Sequence, residues 1–214
     1  MVKSFFRKYL GWLPTLVVRL ISCVRWKQRD PLSGEELENI KDMLAKDYYL
    51  ICTRSSNLLS AWFVGLTDLV MTGRFGFYAH CLMNLEDEVM SDDDFRLVEA
   101  TPKRGVSYDP FNLVFKNVSS VALLKPRTFT IEQWTQVMDK SRTYVGRKYD
   151  TLFDFAKDNK LTCIELIRDA LQADPNYEVN YANFEALLKK HGKVTPNMLY
   201  RCKDFEVYFE VRRS

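Results

Sequence analysis

Cys163 is the residue whose setting first suggests chemistry. It lies in Asp158-Asn159-Lys160-Leu161-Thr162-Cys163-Ile164-Glu165-Leu166-Ile167, where a polar stretch gives way to Leu166, Ile167, Ala170 and Leu171 at helical spacing. This pattern places the thiol in the first turn of a helix, where unpaired N–H groups and the macrodipole lower a thiol pKa. A thiolate there can attack a carbonyl while its own N–H faces the developing oxyanion. A cysteine near a helix start is, on its own, more often a small buried hydrophobe, so a partner is required. His80 sits in the apolar run FGFYAHCLM (75–83), and Glu99 near the end of FRLVEA (95–100). If these two runs are neighbouring strands, His80 and Glu99 stand side by side on one face. Glu99 would then orient an imidazole that takes the proton of Cys163, giving nucleophile, base and orienter.

Other candidates are weaker. His191 follows Lys189 and Lys190 at the end of a helical pattern, where a cation suits the dipole. The acidic run 86–94 lacks EF-hand spacing and reads as a solvated loop. Arg54 and Glu165 could contact substrate or form rim ion pairs of small value. Five cysteines (Cys23, Cys52, Cys81, Cys163 and Cys202) are an odd number, widely spaced and without a CxxC pair. That argues against a disulfide framework and against zinc, and fits a reducing compartment; no metal and no cofactor is expected. Cys23, Cys52 and Cys202 read as packing residues.

The elements that must position these groups follow from pattern. Ser33-x-x-Glu36 is a capping box that opens a helix to about Lys46. Tyr48–Thr53 reads as a strand, Asn57–Met71 as an apolar helix and Phe75–Met83 as a buried strand. Phe95–Ala100 is a further strand. Short strands are expected near Val106–Tyr108, Leu113–Phe115 and Val121–Leu124, with Asp109-Pro110 as a turn. Thr130-x-x-Gln133 caps a helix bearing Ile131, Trp134, Val137 and Met138. Helices follow at Leu161–Leu171, at Asn183–His191 closed by Gly192, and briefly from Thr195-Pro196; Phe205–Val211 alternates as a closing strand. The order predicts an α+β protein with one antiparallel sheet and helices packed beside it.

Composition agrees with a folded domain: of 214 residues, 47% are hydrophobic and 28% charged, which excludes wholesale disorder. The net charge of +3 is too small to argue for nucleic acid. Residues 1–30 form a cationic, aromatic helical arm ahead of a domain at 31–214, with Pro31-Leu32-Ser33-Gly34 as a linker. Within the arm, the uncharged run Tyr9–Val18 is too short to span a membrane. Residues 5–26 are read either as an amphipathic anchor on a membrane surface or as a helix packed on the domain.

The motifs together resemble the permuted branch of the NlpC/P60 papain-like superfamily, which includes YiiX-like and YebB-like proteins and relatives of lecithin:retinol acyltransferase. Thr53-Arg54-Ser55 before an apolar helix is similar to the family's opening strand and helix. Gly73-Arg74-Phe75-Gly76-Phe77-Tyr78-Ala79-His80 resembles the segment ending in the catalytic His, and Val98-Glu99-Ala100-Thr101 with Gly105-Val106 the Glu strand and hairpin. Gly146-Arg147-Lys148-Tyr149-Asp150, Phe153 and Thr162-Cys163-Ile164-Glu165-Leu166 resemble the G-x-x-Y-D…C-x-E-L block. The coverage is roughly residues 48–172. The sequence departs from the pattern at Ile164 and Ala79, where Ser is common, and at Cys81, where an aliphatic is usual.

The resemblance implies a permuted papain-like fold and a cysteine hydrolase in which Cys163, His80 and Glu99 cleave an amide or ester through a thioester, with Tyr149 near the oxyanion site. Cell-wall peptides and acylated lipids are the substrate classes it implies. Two rivals stay open: an acyltransferase working at a membrane surface, and a non-catalytic component of a larger assembly such as a virus particle. A cytoplasmic or peripherally membrane-bound protein is expected.

Overall fold

The computed structural model describes residues 29–56, 58–84, 95–150 and 159–213, with only the backbone of 58–63. Residues 1–28 of the expected N-terminal arm and the acidic loop therefore lie outside the described residues, as does Phe153. Helices α1 (Gly34–Lys46) and α2 (Leu58–Thr72) flank strand β1 (Leu50–Ser55). Strands β2 (His80–Asn84), β3 (Arg96–Thr101) and β4 (Gly105–Pro110) follow, then α3 (Phe111–Phe115), β5 (Val118–Pro126) and α4 (Ile131–Arg142). After β6 (Lys148–Tyr149) and β7 (Lys160–Leu161) come α5 (Cys163–Leu171), α6 (Tyr177–Asn180), α7 (Ala182–His191), α8 (Pro196–Tyr200) and β8 (Phe205–Val211).

Six strands form one antiparallel sheet in the order β4-β3-β2-β1-β5-β8, and β6 pairs with β7 in a separate parallel ribbon. Alternation along the strands sorts two cores. Leu50, Cys52, Cys81, Met83, Val98, Ala100, Ala122 and Leu124 face one way, into the core with α4, α5, α7 and α8. Ile51, Leu82, Leu97, Val121 and Leu123 face the other, against Ile40 and Leu44 of α1 and Phe111 and Phe115 of α3. This is the expected α+β architecture.

Four local expectations are corrected. Phe75–Ala79 is not strand: β2 starts at His80, and Asn197 in α8 holds the preceding backbone, its Oδ1 accepting from Tyr78 N at 2.7 Å and its Nδ2 donating to Tyr78 O at 2.7 Å. Asp109-Pro110 ends strand β4 instead of turning, and β4 is an edge strand, where Pro is tolerated. Leu113–Phe115 belongs to a one-turn helix whose i,i+4 pair Phe111 and Phe115 stacks at 4.5 Å. Leu161 pairs in β7, so α5 opens at Cys163 itself. The proposed linker is also anchored: Leu32 is buried, and its N–H donates to Val118 O at 2.9 Å.

Candidate active site

The nucleophile candidate sits at the first position of α5. Thr162 is the N-cap, with extended φ/ψ of −77° and 171°. Its Oγ1 accepts from Glu165 N at 3.2 Å, and Glu165 Oε2 accepts from Thr162 N at 2.8 Å. This capping box satisfies helix-start donors beside Cys163. Glu165 is 1% exposed and closes that box. Cys163 is 7% exposed.

His80 is the first residue of β2, opposite Thr53 of β1. The β2–β3 ladder pairs Met83 with Val98 and Asn84 with Leu97, so continuing it would set His80 opposite Thr101. Glu99 is therefore the diagonal neighbour of His80 on the same face, within reach of long side chains. The pair forms: His80 Nε2 and Glu99 Oε2 are 2.8 Å apart, with side chains 25% and 5% exposed. Because Nε2 is engaged by the carboxylate, Nδ1 is the nitrogen left for the sulfur. Glu99 is held in turn by Arg104, whose Nη2 donates to Glu99 Oε1 at 2.7 Å and whose Nε donates to Asp109 Oδ2 at 3.1 Å. Ser107 Oγ donates to the same Asp109 oxygen at 2.6 Å.

Electrostatics follow from this packing. The Cys163 pKa is held well below the usual thiol value, first by a hydrogen bond from Cys81; burial opposes this, and the hydrogen bond and charge of His80 add to the lowering. Burial pulls His80 down, but bonding to Cys163 and Glu99, with their charges, carries it up to about 10. Burial raises Glu99, and its hydrogen bond to His80 reverses that and leaves the carboxyl below its ordinary value. The thiol of Cys81, buried and donating to Cys163, is pushed well up. The arrangement favours a thiolate–imidazolium pair backed by a carboxylate, which suits nucleophilic attack on a carbonyl with proton return to the leaving group.

Tyr149 lies opposite Leu161 in the β6–β7 ribbon, two residues before Cys163. Burial raises its hydroxyl pKa, and the nearby Cys163 charge adds to the rise. Arg54 is buried on β1, donating to Phe77 O at 3.0 Å. His191 ends α7, where the sequence placed it. Cys52 and Cys202 are buried, while Cys23 lies outside the described residues. Sequence reasoning missed Cys81, Arg104 and Asp109. It also missed Thr162-x-x-Glu165, although the same signature was read correctly at Ser33 and Thr130.

Residues 62–207 match the model of the permuted papain-like amidase enzymes, the YaeF/YiiX C92 family. That is more than half of the chain, and the protein belongs to this family, whose members are hydrolases. A solved structure, the metalloprotein yiiX from Escherichia coli O157:H7, is similar with a TM-score of 0.52 at 16% identity, covering 79% of this chain and 97% of that one. At that identity the likeness shows the fold, which is the permuted papain-like one. No curated protein matches the chain. Among the described residues no group of three or more His, Cys, Asp and Glu side chains is placed to hold a metal ion, and no helix is long and apolar enough to cross a membrane.

Proposed function

We propose that the protein is a cysteine hydrolase that cleaves an amide or ester bond with Cys163, His80 and Glu99. The observation that carries this reading is the 2.8 Å His80–Glu99 contact beside a thiol at the first position of α5. The Cys163 thiolate attacks the carbonyl carbon, and the developing oxyanion faces the N–H groups at the start of α5 with Tyr149 nearby. Protonated His80 gives its proton to the departing nitrogen or oxygen, leaving a thioester on Cys163. His80, now neutral, takes a proton from water, which attacks the thioester and releases the acid; the thiolate and imidazolium are restored. Glu99 holds the ring in the tautomer this needs, and Arg104 and Asp109 hold Glu99.

The test is acyl-enzyme capture with p-nitrophenyl acetate. The expected result is a burst of nitrophenolate and a hydroxylamine-labile acyl group on Cys163, both absent in Cys163→Ser. Acylation spread over several residues, or unchanged in that variant, contradicts the reading. The cationic, aromatic sequence of residues 5–26 supports work at a membrane surface. Flotation with anionic liposomes of the full chain, but not of a chain starting at Pro31, is the outcome this expects.

A further inference from the structure

Three arginines converge on one ring at the His80 end of the sheet. The guanidinium carbons of Arg212, Arg54 and Arg29 lie 4.2, 4.5 and 5.6 Å from the Phe77 ring centre. Contacts with a ring face partly offset the burial of a cation. They do not neutralise three like charges, and among the described residues none of the three is paired with a carboxylate. Arg54 is 7% exposed, and its Nε has no hydrogen-bond partner. A buried, unsatisfied guanidinium donor is costly and calls for a partner, such as an ion or a water, or for a functional role. Burial, with Arg29 and Arg212 nearby, lowers the Arg54 pKa to about 10, which records the same strain.

The position links this cluster to the reaction. Leu50 and Cys52 face the core that contains Cys163, and strand alternation puts Arg54 on that face. Arg54 lies two residues beyond Cys52, about 7 Å along the strand, and the charge of Cys163 is close enough to raise the Cys52 thiol pKa. Thr53, between them in sequence, alternates to the other face, where it is opposite His80. Phe77 packs against the same core.

We propose that Arg54, Arg212 and Arg29 form an anion-binding subsite beside Cys163, which selects amide or ester substrates carrying a carboxylate or phosphate a few bonds from the bond cleaved. The proposal rests on the cysteine-hydrolase reading above. An oxyanion group with two or more oxygens would meet the free Nε edge of Arg54 and the charge of Arg212 together, satisfying the buried donor and relieving the repulsion in one step. Arg212, which is exposed, supplies the entry side, and Arg29 is fixed by donating to Arg213 O at 2.6 Å.

Cys163 itself reports on the subsite. The full chain is alkylated with N-iodoacetyl-β-alanine, with N-iodoacetyl-O-phosphoethanolamine and with the neutral N-iodoacetyl-β-alaninamide. Rates at Cys163 are read by peptide mass spectrometry and normalised to those of free cysteine. The expected result is an anionic-over-neutral preference of about tenfold, the size of one charge-assisted bidentate contact. It should collapse toward unity in Arg54→Gln and in Arg212→Gln; the second, at an exposed position, carries the test if the first does not fold. Lys203→Gln, which removes the same charge elsewhere, should keep the preference. A larger effect for the phosphate probe identifies phosphoester-bearing substrates, and a larger effect for the carboxylate identifies acidic peptides. A ratio near one in the unaltered protein, or an equal fall in Lys203→Gln, overturns the subsite. Failure of the neutral probe to label Cys163 contradicts the hydrolase reading instead.

Discussion

At the scale of single residues, the site depends on who holds whom. Glu99 is bonded to His80 on one oxygen and to Arg104 on the other, so it can orient the ring without moving. Glu99→Gln keeps the shape but loses the charge that stabilises the imidazolium. Turnover of an activated ester should fall about a hundredfold or more, within the range of general acid–base contributions, while thermal stability changes little. Cys81 makes a different prediction. Its thiol is the leading cause of the lowered Cys163 pKa, so Cys81→Ala should move the pH midpoint of Cys163 alkylation upward with His80 and Glu99 intact. Cys163 and the His80–Glu99 pair were legible in the sequence because a polar-to-apolar switch marks a helix start and two apolar runs mark neighbouring strands. The role of Cys81 was not, since a cysteine beside the histidine in an apolar strand looks like packing until α5 is laid over it. Arg104 and Asp109 were hidden for a related reason: charged residues in a hairpin read as solvated, and only the pairing of β3 with β4 buries Asp109 and brings the exposed Arg104 onto Glu99.

At the scale of elements, the start of α5 is the part most exposed to local change. Thr162→Ala removes the acceptor for Glu165 N and loosens the buried Glu165 carboxylate. The cost should be about 1 kcal/mol in denaturant unfolding, typical of a lost N-cap, with slower alkylation of Cys163 as the helix start frays. A close approach holds the neighbouring hairpin. Gly105 has φ of +73°, and a Cβ there would meet Arg147 O at 2.2 Å, which keeps β4 against the segment leading to Tyr149. Most elements were readable because their periodicity and caps agree, as at α1 and α4. The failures share a tertiary cause. Phe75–Ala79 is rich in strand-forming residues, yet its backbone partners include a side chain far along the chain, Asn197. Residues 111–115 contain Phe and Val, yet Phe111 N donates to Phe95 O and the two phenylalanines close on α1's side of the sheet, which favours a turn of helix.

At the scale of the whole molecule, the proposed thiolate–imidazolium pair makes stability depend on pH. Taken alone, the raised His80 pKa gives stability that is complete below 6.5 and lost as pH rises through about 10. The lowered Cys163 pKa gives stability present above 9.0 and lost as pH falls through the folded value. In one pair the proton counts combine. Between about 6.5 and 9 the folded pair holds one proton on His80 and the unfolded chain one on Cys163, so the contribution is flat. Below 6.5 the unfolded chain binds more protons, and stability falls with acid; above 9 the folded state binds more, and stability falls toward 10. Urea unfolding of the protein, compared with His80→Gln across this range, should show a plateau with losses at both ends. A difference that slopes steadily through neutral pH would mean that the pair is not ionised. The most direct test of the central claim is the pH profile of Cys163 alkylation by iodoacetamide, followed peptide by peptide. The account predicts a midpoint well below 9.0, labelling ahead of the other four cysteines, and a rise of the midpoint in His80→Gln. A Cys163 midpoint at or above the ordinary thiol value, unmoved by loss of His80, would contradict it.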